Sequence, residues 1–414
     1  MNKRRVVITG LGTINGVGKN VEETWEGLLN GRSGVDIITN FDPEEFPCKI
    51  ASEVKNYNPK DYFKAKDAKK IDKYAQFGII AADEAMQDSG LQEGNFDPER
   101  AGVIFGAGIG GMLTFEEEAV KLHKSGPRRI SPFFIPKMIS NICAGHIAIK
   151  YNLKAINFNI TSACASANHA IGTAYRSILY GDADIIFAGG AEAAVTPLSV
   201  GGFSSMKALS TRNDDPKTAS RPFDAERDGF VMGEGGGMLV LEELEHAVNR
   251  GARIYAELVG YGATCDAFHV TAPADNGEGG ARAMAIAVKD AGIEPEKIDY
   301  INAHGTSTPL NDKNETSSIK TIFGEHARNL KISSSKSMTG HTLGAAAAIE
   351  AIVCCKTIET GKIHPTVNLF NPDPDCDLDY VSNGMEEKDV NYALSNSLGF
   401  GGHNGVIILK KYSQ

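Results

Sequence analysis

Short apolar runs recur along the chain and alternate with longer stretches of helical composition. The runs lie at residues 5–10, 102–105, 183–188, 253–260 and 298–302. Each has the length and the β-branched content of a buried strand. Strands that alternate with helices in this way predict a layered α/β fold.

Two serine-rich segments predict an internal duplication. The segment 161–164, with His169 after it, resembles the segment 333–336, with His341 after it. Each precedes an Ala-rich stretch of helical composition. The spacing of about 170 residues is typical of two copies of one α/β unit.

A second pair of segments supports the duplication. Glycine clusters at 233–237 and 399–402 both stand before an apolar run that reads as a strand. We therefore predict two halves, residues 1–252 and 253–414. The Gly/Ser/Asp-rich segment 210–227 is expected to form a long surface loop.

Composition and charge narrow the class of protein. Of the 414 residues, 42% are hydrophobic and 23% charged, and the formal net charge is −10. The composition is that of a globular protein, and the charge argues against a general nucleic-acid binder. The seven cysteines contain no C-x-x-C pair, which predicts free thiols, no cysteine zinc site and a reducing cytoplasm.

No segment has the pattern of a membrane span or of a signal peptide. The apolar stretch 343–358 contains Glu350 and Lys356, and the apolar run at 6–10 ends in glycine. A membrane span needs about 20 predominantly apolar residues, and a signal peptide needs a longer apolar core than this run offers. We expect neither.

One basic cluster departs from the acidic net charge. Lys66, Lys69, Lys70 and Lys73 have the i, i+3, i+4, i+7 spacing of one helix face. Further basic residues stand elsewhere in the chain, at Arg128, Arg129 and Lys207. Such a cluster is either a solvated helix face or a docking surface for an acidic partner. The spacing alone does not decide between the two.

Cys164 has the setting of a buried nucleophile. It lies in T-S-A-C-A-S-A-N-H, after an alternating apolar stretch at 156–160 and before the helical stretch 165–179. This pattern predicts a strand, a tight turn and a helix, with the thiol at the turn. Unpaired N–H groups of a first helical turn favour a thiolate over a thiol. The small neighbours leave room for a substrate at the sulfur.

Two histidines stand in similar surroundings. His304 follows the strand-like run 299–303, and His341 lies five residues after Lys336. We expect both at the carboxyl ends of strands, where α/β sheets usually place ligands. Each histidine taken alone is more often structural than catalytic, but their matching positions in a duplicated unit favour a shared site with Cys164.

A cysteine beside two histidines admits three chemistries. Hydrolysis needs one histidine and an orienting Asp or Asn, and zinc needs three or four ligands at a spacing that this chain lacks. Acyl transfer followed by carbanion chemistry uses every group, because the cysteine holds an acyl thioester and two N–H donors hold an enolate oxygen. The glycines around Phe400 allow backbone N–H groups to complete an oxyanion hole, and Phe400 itself can act as a gate.

A dinucleotide site is not indicated, although one motif suggests it. Residues 106–111 read G-A-G-I-G-G after a predicted strand, which matches the G-x-G-x-x-G pattern. That pattern also requires an acidic residue at the end of a second strand ~20 residues further on. Ile130-Ser131-Pro132 occupies this place, so we predict no such site.

Four motifs together resemble one known family. They are T-S-A-C-A-S at Cys164, N-A-H-G-T-S-T-P at His304, S-K-S-M-T-G-H at His341 and G-F-G-G at Phe400. The set resembles the β-ketoacyl-[acyl-carrier-protein] synthases of the thiolase superfamily, and their synthase II branch most. The resemblance runs from the first strand to the C-terminus. It implies a thiolase-like α/β fold, in which two βαβαβαββ halves form a layered αβαβα core, and a homodimer.

The resemblance implies a decarboxylative condensation, the elongation step of type II fatty acid synthesis. Cys164 takes an acyl chain from acyl carrier protein as a thioester. His304 and His341 donate hydrogen bonds to the malonyl thioester oxygen as carbon dioxide leaves, and Lys336 tunes them. The N–H groups of Cys164 and Phe400 hold the tetrahedral oxyanion. No cofactor of its own is implied, because phosphopantetheine on acyl carrier protein carries the substrates.

Further roles follow from matching positions. Asp312 and Glu315 brace the site, and Ile109 and Phe203 line the acyl pocket. The phosphopantetheine arm is held by three threonines, Thr271, Thr306 and Thr308. Because acyl carrier proteins are acidic, the docking interpretation of the basic residues is favoured. These residues are Lys66, Lys69, Lys70, Lys73, Arg128, Arg129 and Lys207.

Related proteins share parts of this pattern. A ketosynthase of a type II polyketide system has every catalytic motif and is the alternative. A thiolase carries a second cysteine that has no equivalent here, and a chain-length partner subunit lacks the nucleophile. Two positions depart from the usual family pattern, Asn311 in place of Gly and Ser335 in place of Thr. Neither change affects the chemistry.

Overall fold

Strands and helices alternate through the computed structural model, which describes residues 4–413. The strands are β1 Val6–Asn15, β2 Asp36–Ile37, β3 Ile50–Ala51, β4 Ala101–Gly106, β5 Asn157–Ile160, β6 Ile185–Glu192, β7 Gly235–Glu243, β8 Ala256–Cys265, β9 Tyr300–Asn302, β10 Lys331–Ser333, β11 Lys362–Ile363, β12 Glu386–Glu387, β13 Tyr392–Gly399 and β14 His403–Lys410. The helices are α1 Val21–Leu29, α2 Ala65–Ala68, α3 Lys73–Asp88, α4 Met112–Ser125, α5 Phe134–Met138, α6 Ile142–Tyr151, α7 Ser166–Tyr180, α8 Pro197–Ser205, α9 Leu244–Asn249, α10 Glu278–Ala291, α11 Pro309–Phe323, α12 Lys336–Thr339 and α13 Ala346–Thr360. The predicted α/β class is confirmed.

The internal duplication is visible in the order of the strands. One ten-stranded sheet has the order β10-β9-β13-β14-β8-β1-β7-β6-β4-β5. Each half contributes five strands in the same relative order, with two parallel pairings followed by two antiparallel ones. The halves join where β1 pairs with β8, with Val6 opposite Leu258. The predicted boundary after residue 252 lies between α9 and β8.

The register of the duplication differs from the one that the serine-rich segments suggested. The turn Ala163–Ala165 leads into α7, and the turn Leu343–Ala345 leads into α13. The first residue of each turn has a φ of 50°, an uncommon value for residues other than glycine. Cys164 therefore corresponds to Gly344, and the sequence comparison with Lys336 was wrong because helix α12 intervenes in the second half.

Two helices lie between the two halves of the sheet. α7 contacts β4 and β6 of its own half and also β8 and β14 of the other, and α13 contacts β9, β13, β6 and β7. α3 and α6 cover the outer face of one half, and α10 and α11 cover that of the other. The five layers are those of the expected αβαβα core. A helix enclosed on all sides is apolar all round, which explains the stretch 343–358.

Within residues 4–413, no helix is both long enough and apolar enough to cross a membrane.

Only part of the segment 210–227 is the surface loop that its composition predicted, because residues 211–218 are exposed or half-buried whereas residues 219–224 are buried. Phe223 is fully buried, and its ring stacks on Tyr380 with 3.8 Å between centroids. Asp224 is also buried and accepts the N–H groups of Phe370 and Asn371 at 2.8 and 2.7 Å. The polar residues of this segment satisfy buried backbone groups, a use that composition does not distinguish from solvent exposure.

Candidate active site

Cys164 lies at a strained turn at the bottom of a cavity. The turn Ala163–Ala165 joins β5 to α7, and Ser166 stabilises it, because its Oγ accepts the Ser162 N–H at 2.9 Å and donates to the Ala163 carbonyl at 2.7 Å. The Cys164 side chain is 9% exposed. It lines a cavity of about 610 Å³ that opens to the surface near Lys207.

Both predicted histidines meet the thiol in this cavity. His304 follows β9, whereas His341 lies beyond α12 and not directly at a strand end. His341 Nε2 lies 3.0 Å from Cys164 Sγ, and the two imidazole rings are 5.3 Å apart at 87°. Ligand atoms of all three residues lie within 4.8 Å of one another. The structure therefore brings together side chains that are up to 177 positions apart.

Lys336 lies behind His304. Its Nζ is 3.3 Å from His304 Nδ1 and forms a buried ion pair with Glu350. An ammonium group has no acceptor to offer, so it donates to Nδ1 and the proton of a neutral His304 lies on Nε2, which faces the cavity. The role of Glu350 is not visible in the sequence, where this residue only interrupts an apolar stretch.

Glu315 and Asp312 hold the loop that follows His304. Glu315 accepts the N–H groups of His304 and Gly305 at 2.7 and 2.8 Å. Asp312 accepts the Phe223 N–H at 2.9 Å and lies 3.5 Å from the Arg227 guanidinium. Both carboxylates are fully buried, and they position the backbone of the site without entering the cavity.

Burial determines the charge of the reacting groups. It raises the pKa of the Cys164 thiol to about 11, although the Lys336 charge and the Phe400 N–H lower it. Burial and the Lys336 charge hold the pKa of His304 and that of His341 well below the usual range. Desolvation therefore outweighs the N–H groups that favour a thiolate. The resting site holds a thiol and two neutral imidazoles.

The glycine loop before β14 approaches the nucleophile closely. The N–H groups of Phe400 and of Cys164 itself point to the Cys164 sulfur. A Cβ added to Gly399 would lie 3.2 Å from the Cys164 nitrogen, which is tighter than most real contacts, so a side chain there would push the loop away. Both N–H groups are thus available at the reacting centre.

The other predicted pocket residues line the same cavity. Its lining includes Ile109, Phe203, Thr271, Thr306 and Thr308. The hydroxyl groups of Thr306 and Thr308 are 2.9 Å apart, and the ring of Phe203 lies 6.5 Å from that of Phe400. The apolar residues lie with Cys164 in one hydrophobic cluster, so the cavity has both an apolar and a polar wall.

The basic residues do not form the single helix face that their spacing predicted. α2 ends at Ala68, and a new helix begins at Lys73 with Asp72 as its N-cap. Lys73 is not exposed for docking, because its Nζ lies 2.7 Å from the buried carboxylate of Glu234. The others are exposed, namely Lys66, Lys69, Lys70, Arg128, Arg129 and Lys207.

Lys70 lies beside the segment that follows Arg129. Lys70 Nζ is 5.4 Å from the centre of the Phe133 ring, four residues after Arg129. Lys207 has a φ of 54° and lines the mouth of the Cys164 cavity. The exposed cations therefore include one at the cavity entrance itself.

The G-x-G-x-x-G segment does not present its N–H groups to a ligand. The Glu192 carboxylate of the same chain accepts the N–H groups of Gly108 and Gly110 at 2.7 and 2.9 Å. An internal carboxylate thus fills the place that a phosphate takes in a dinucleotide site.

The three converging groups are also ligand types that zinc accepts. The sequence predicted a shared site of these three residues but no spacing typical of metal ligands. The Lys336 ammonium beside His304 repels a dication, and the N–H groups at the sulfur favour an oxyanion there instead. Acyl chemistry therefore fits the surroundings better than a metal does.

Comparisons with known proteins agree with this geometry. Residues 3–247 match the N-terminal domain of beta-ketoacyl synthases, and residues 255–370 match their C-terminal domain. The chain belongs to the β-ketoacyl synthase family. It is therefore a ketosynthase, an acyltransferase with the thiolase fold.

Individual relatives cover the whole chain. A 3-oxoacyl-[acyl-carrier-protein] synthase 2 from Staphylococcus aureus is 51% identical over 409 residues, 99% of each chain. One from Synechocystis sp. is 49% identical over 412 residues, 100% of this chain and 99% of the relative. Among solved structures, a ketosynthase in complex with its type II polyketide acyl carrier protein has a TM-score of 0.93 at 40% identity, covering 99% and 100% of the two chains. A Burkholderia phymatum β-ketoacyl synthase has a TM-score of 0.92 at 35% identity, with the same coverage.

The raised pKa predicts how Cys164 reacts with an alkylating agent. Because the thiol remains protonated at neutral pH, its rate of reaction with iodoacetamide should rise about tenfold per pH unit between about pH 7 and 9. Intact-mass spectrometry of the wild type against Cys164→Ala isolates this site from the exposed Cys265. A rate that levels off below about pH 8 would show instead that His341 already holds the proton as part of an ion pair.

Proposed function

We propose that this ketosynthase condenses an acyl thioester with malonyl-[acyl-carrier-protein], giving 3-oxoacyl-[acyl-carrier-protein], and so elongates fatty acids in a type II system. The observation that carries this proposal is the meeting of one thiol with two neutral imidazoles in a cavity that is apolar on one side. The relatives at 49–51% identity are 3-oxoacyl-[acyl-carrier-protein] synthases.

The first step transfers the acyl chain to the enzyme. The Cys164 sulfur attacks the thioester carbon, and its proton passes to the departing phosphopantetheine sulfur, while His341 Nε2–H, 3.0 Å away, donates to the Cys164 sulfur. The bond to the phosphopantetheine sulfur then breaks, and that sulfur leaves as a thiol with the proton. The N–H groups of Cys164 and Phe400 stabilise the oxyanion that forms between these events.

The second step generates the carbanion. Malonyl thioester enters, and its carbon–carbon bond to the carboxylate breaks, so that carbon dioxide leaves and the electron pair moves into an enolate. Nε2–H of His304 and of His341 donate to the enolate oxygen. Neutral imidazoles can do so without a net charge in the cavity, and Lys336 holds the required tautomer of His304.

The third step forms the product. The enolate carbon attacks the acyl carbon on Cys164, and the same two N–H groups hold the new oxyanion. The bond to the cysteine sulfur then breaks, and the released thiolate takes one proton from solvent, which restores the thiol. During these steps Thr271, Thr306 and Thr308 hold the phosphopantetheine arm on the polar wall. The acyl chain lies along Ile109 and Phe203 on the apolar wall.

The carrier protein docks on exposed cations, of which Lys207 lines the Cys164 cavity. The docking residues are Lys66, Lys69, Lys70, Arg128, Arg129 and Lys207, all of which are exposed. Positive charge at an entrance steers an acidic partner and raises its association rate. A chain with a net charge of −10 repels such a partner elsewhere.

A homodimer is supported by the open edge of the sheet. β5 ends the sheet, and its outer side has no backbone partner among residues 4–413. The equivalent edge strand β10 is covered, because Ile332 donates to the Asp379 carbonyl at 3.0 Å. Exposed Phe158, Phe133 and Ile135 lie on and near the open edge. Exposed edge strands pair readily, so two copies join at β5.

Two further parts of the proposal rest on single observations. All seven cysteines are free thiols, which supports a reducing cytoplasm. A type II polyketide ketosynthase is the alternative function, favoured by the solved structure at 40% identity. The higher identity of the fatty-acid relatives favours elongation of fatty acids.

The first test is covalent loading of the nucleophile. Wild-type protein mixed with an acyl-[acyl-carrier-protein] should gain the mass of the acyl group on Cys164, measured by intact-mass and peptide mass spectrometry. Cys164→Ala should gain nothing. Acyl mass on any other residue, or none on the wild type, would refute the proposed function. The turnover products separate the two functions. A product extended by one two-carbon unit indicates fatty acid elongation, and a product extended by several units indicates polyketide synthesis.

The second test separates decarboxylation from condensation. Cys164→Ala should lose condensation but retain release of carbon dioxide from malonyl-[acyl-carrier-protein], because both imidazoles remain. His304→Ala should lower that release by about a hundredfold or more, the usual cost of one oxyanion donor. His326→Ala is the matched control, since His326 bonds the Ile298 carbonyl outside the cavity. Unchanged release in His304→Ala would exclude the enolate role.

The third test concerns docking. Lys66→Glu combined with Lys69→Glu should raise the KM for acyl-[acyl-carrier-protein] by about five- to tenfold at low salt, since exposed charges contribute up to about 1 kcal/mol each. The KM for an acyl pantetheine thioester should not change, because that substrate has no protein surface. Lys289→Glu on α10, also exposed, is the control. An equal effect of Lys289→Glu would mean that net charge and not a docking site is responsible.

A further inference from the structure

Glu192 is a buried carboxylate that the condensation steps do not use. It ends β6 and is 0% exposed. Its hydrogen-bond donors in the described part of the chain are all backbone N–H groups. They are those of Gly108 at 2.7 Å, Ile109 at 3.2 Å, Gly110 at 2.9 Å and Gly344 at 3.2 Å. A buried anion held only by backbone groups of loops determines where those loops lie.

These N–H groups come from the two halves of the molecule. The loop of Gly108 follows β4 in the first half, and Gly344 lies in the turn that begins α13 in the second. A Cβ on Gly344 would lie 2.3 Å from the Gly108 nitrogen and 2.7 Å from Glu192 Oε2. Such distances do not occur in real structures, so there is no room for a side chain at position 344. The two loops are in van der Waals contact, and both donate N–H groups to the Glu192 carboxylate.

Each of these loops supplies one apolar wall residue of the Cys164 cavity. Ile109 stands in the first loop, and Leu343 precedes Gly344 in the second. Both lie in the hydrophobic cluster that contains Cys164. The Glu192 carboxylate therefore links two loops that line the space next to the nucleophile, although it lines no part of the cavity itself.

We propose that Glu192 is a positioning residue for acyl-chain length, because it holds Ile109 and Leu343 at the separation that admits a long chain beside Cys164. The inference rests on the proposed acyl transfer to Cys164 and deepens it. Neither His304 nor His341 is hydrogen-bonded to Glu192. The enolate chemistry should therefore depend on Glu192 less strongly than the binding of a long acyl chain.

A neutral replacement of Glu192 is expected to fold. Burial raises the pKa of Glu192 to about 7 even though the four N–H groups lower it, so the charged form is only slightly favoured at neutral pH. In Glu192→Gln the amide keeps one acceptor oxygen but turns its NH₂ towards other N–H donors. The loops must then separate locally while the strand remains in place.

The test compares long and short chains on the same protein. Rates of Cys164 acylation are measured with hexanoyl- and hexadecanoyl-[acyl-carrier-protein] by intact-mass spectrometry. In Glu192→Gln the ratio of the long-chain to the short-chain rate should fall about tenfold, since small displacements near a reacting centre have effects of this order or larger. Release of carbon dioxide from malonyl-[acyl-carrier-protein] should fall by a smaller factor than hexadecanoyl transfer.

Glu84→Gln is the matched control. Glu84 also holds backbone N–H groups, those of Thr13 and Val21 at 2.8 Å each, and burial likewise raises its pKa to about 7. It lies outside the cavity, so its variant should keep the wild-type ratio. The same shift in both variants, or an unchanged ratio in folded Glu192→Gln, would overturn the proposal. If Glu192→Gln does not fold, Glu192→Asp is measured in its place and must show the shift.

A second arm needs no carrier protein and so separates the inference from the proposed function. Hexyl and dodecyl methanethiosulfonate modify Cys164 chemically, and their rate ratio reports the space beside the sulfur. A lower dodecyl ratio in Glu192→Gln supports the inference even if acyl transfer from the carrier protein is absent, an outcome that would refute only the proposed function. An unchanged ratio in this arm would refute the inference alone.

Discussion

Packing of α7 and α13 between the halves of the sheet is the constraint on which the site depends. Each helix contacts strands of both halves, so its N-terminal turn is held in the middle of the molecule. The turn before α7 carries Cys164, and the turn before α13 carries Leu343 and Gly344. Placing the nucleophile at such a turn buries it, and every electrostatic property of the site follows from that burial.

Burial favours neutral forms of the cysteine and both histidines, and the chemistry uses those forms. Removing charged groups from water is costly, so the thiol keeps its proton and the imidazoles lose theirs. Behind His304, the Lys336 charge is paired with that of Glu350, and this pair is stable only because both members are present. The site thus contains donors and a nucleophile without a net charge that would have to be moved during reaction.

Local patterns predicted the elements and most of the chemistry, but not every interpretation of them. The strand before Cys164 and the helix after it follow from alternation and composition, and so does the duplication of the halves. The prediction that the basic residues at 66–73 share one helix face was wrong. The spacing indicates a common face only within a single helix, and a new helix begins after Asp72. Within residues 210–227, the buried Asp224 accepts backbone N–H groups, a use of a polar residue that composition does not reveal.

The sequence by itself predicted the class of fold, the duplication and the meeting of Cys164 with His304 and His341, because each is encoded in a local pattern or in motifs that few families share. Only the tertiary structure decided that the thiol is protonated at rest, that Glu350 balances Lys336, that Lys73 is used internally and that Glu192 joins two loops. These properties depend on distances between residues far apart in the chain and on the exclusion of water around them. A local sequence pattern contains neither the distances between residues far apart in the chain nor the extent to which water is excluded around them.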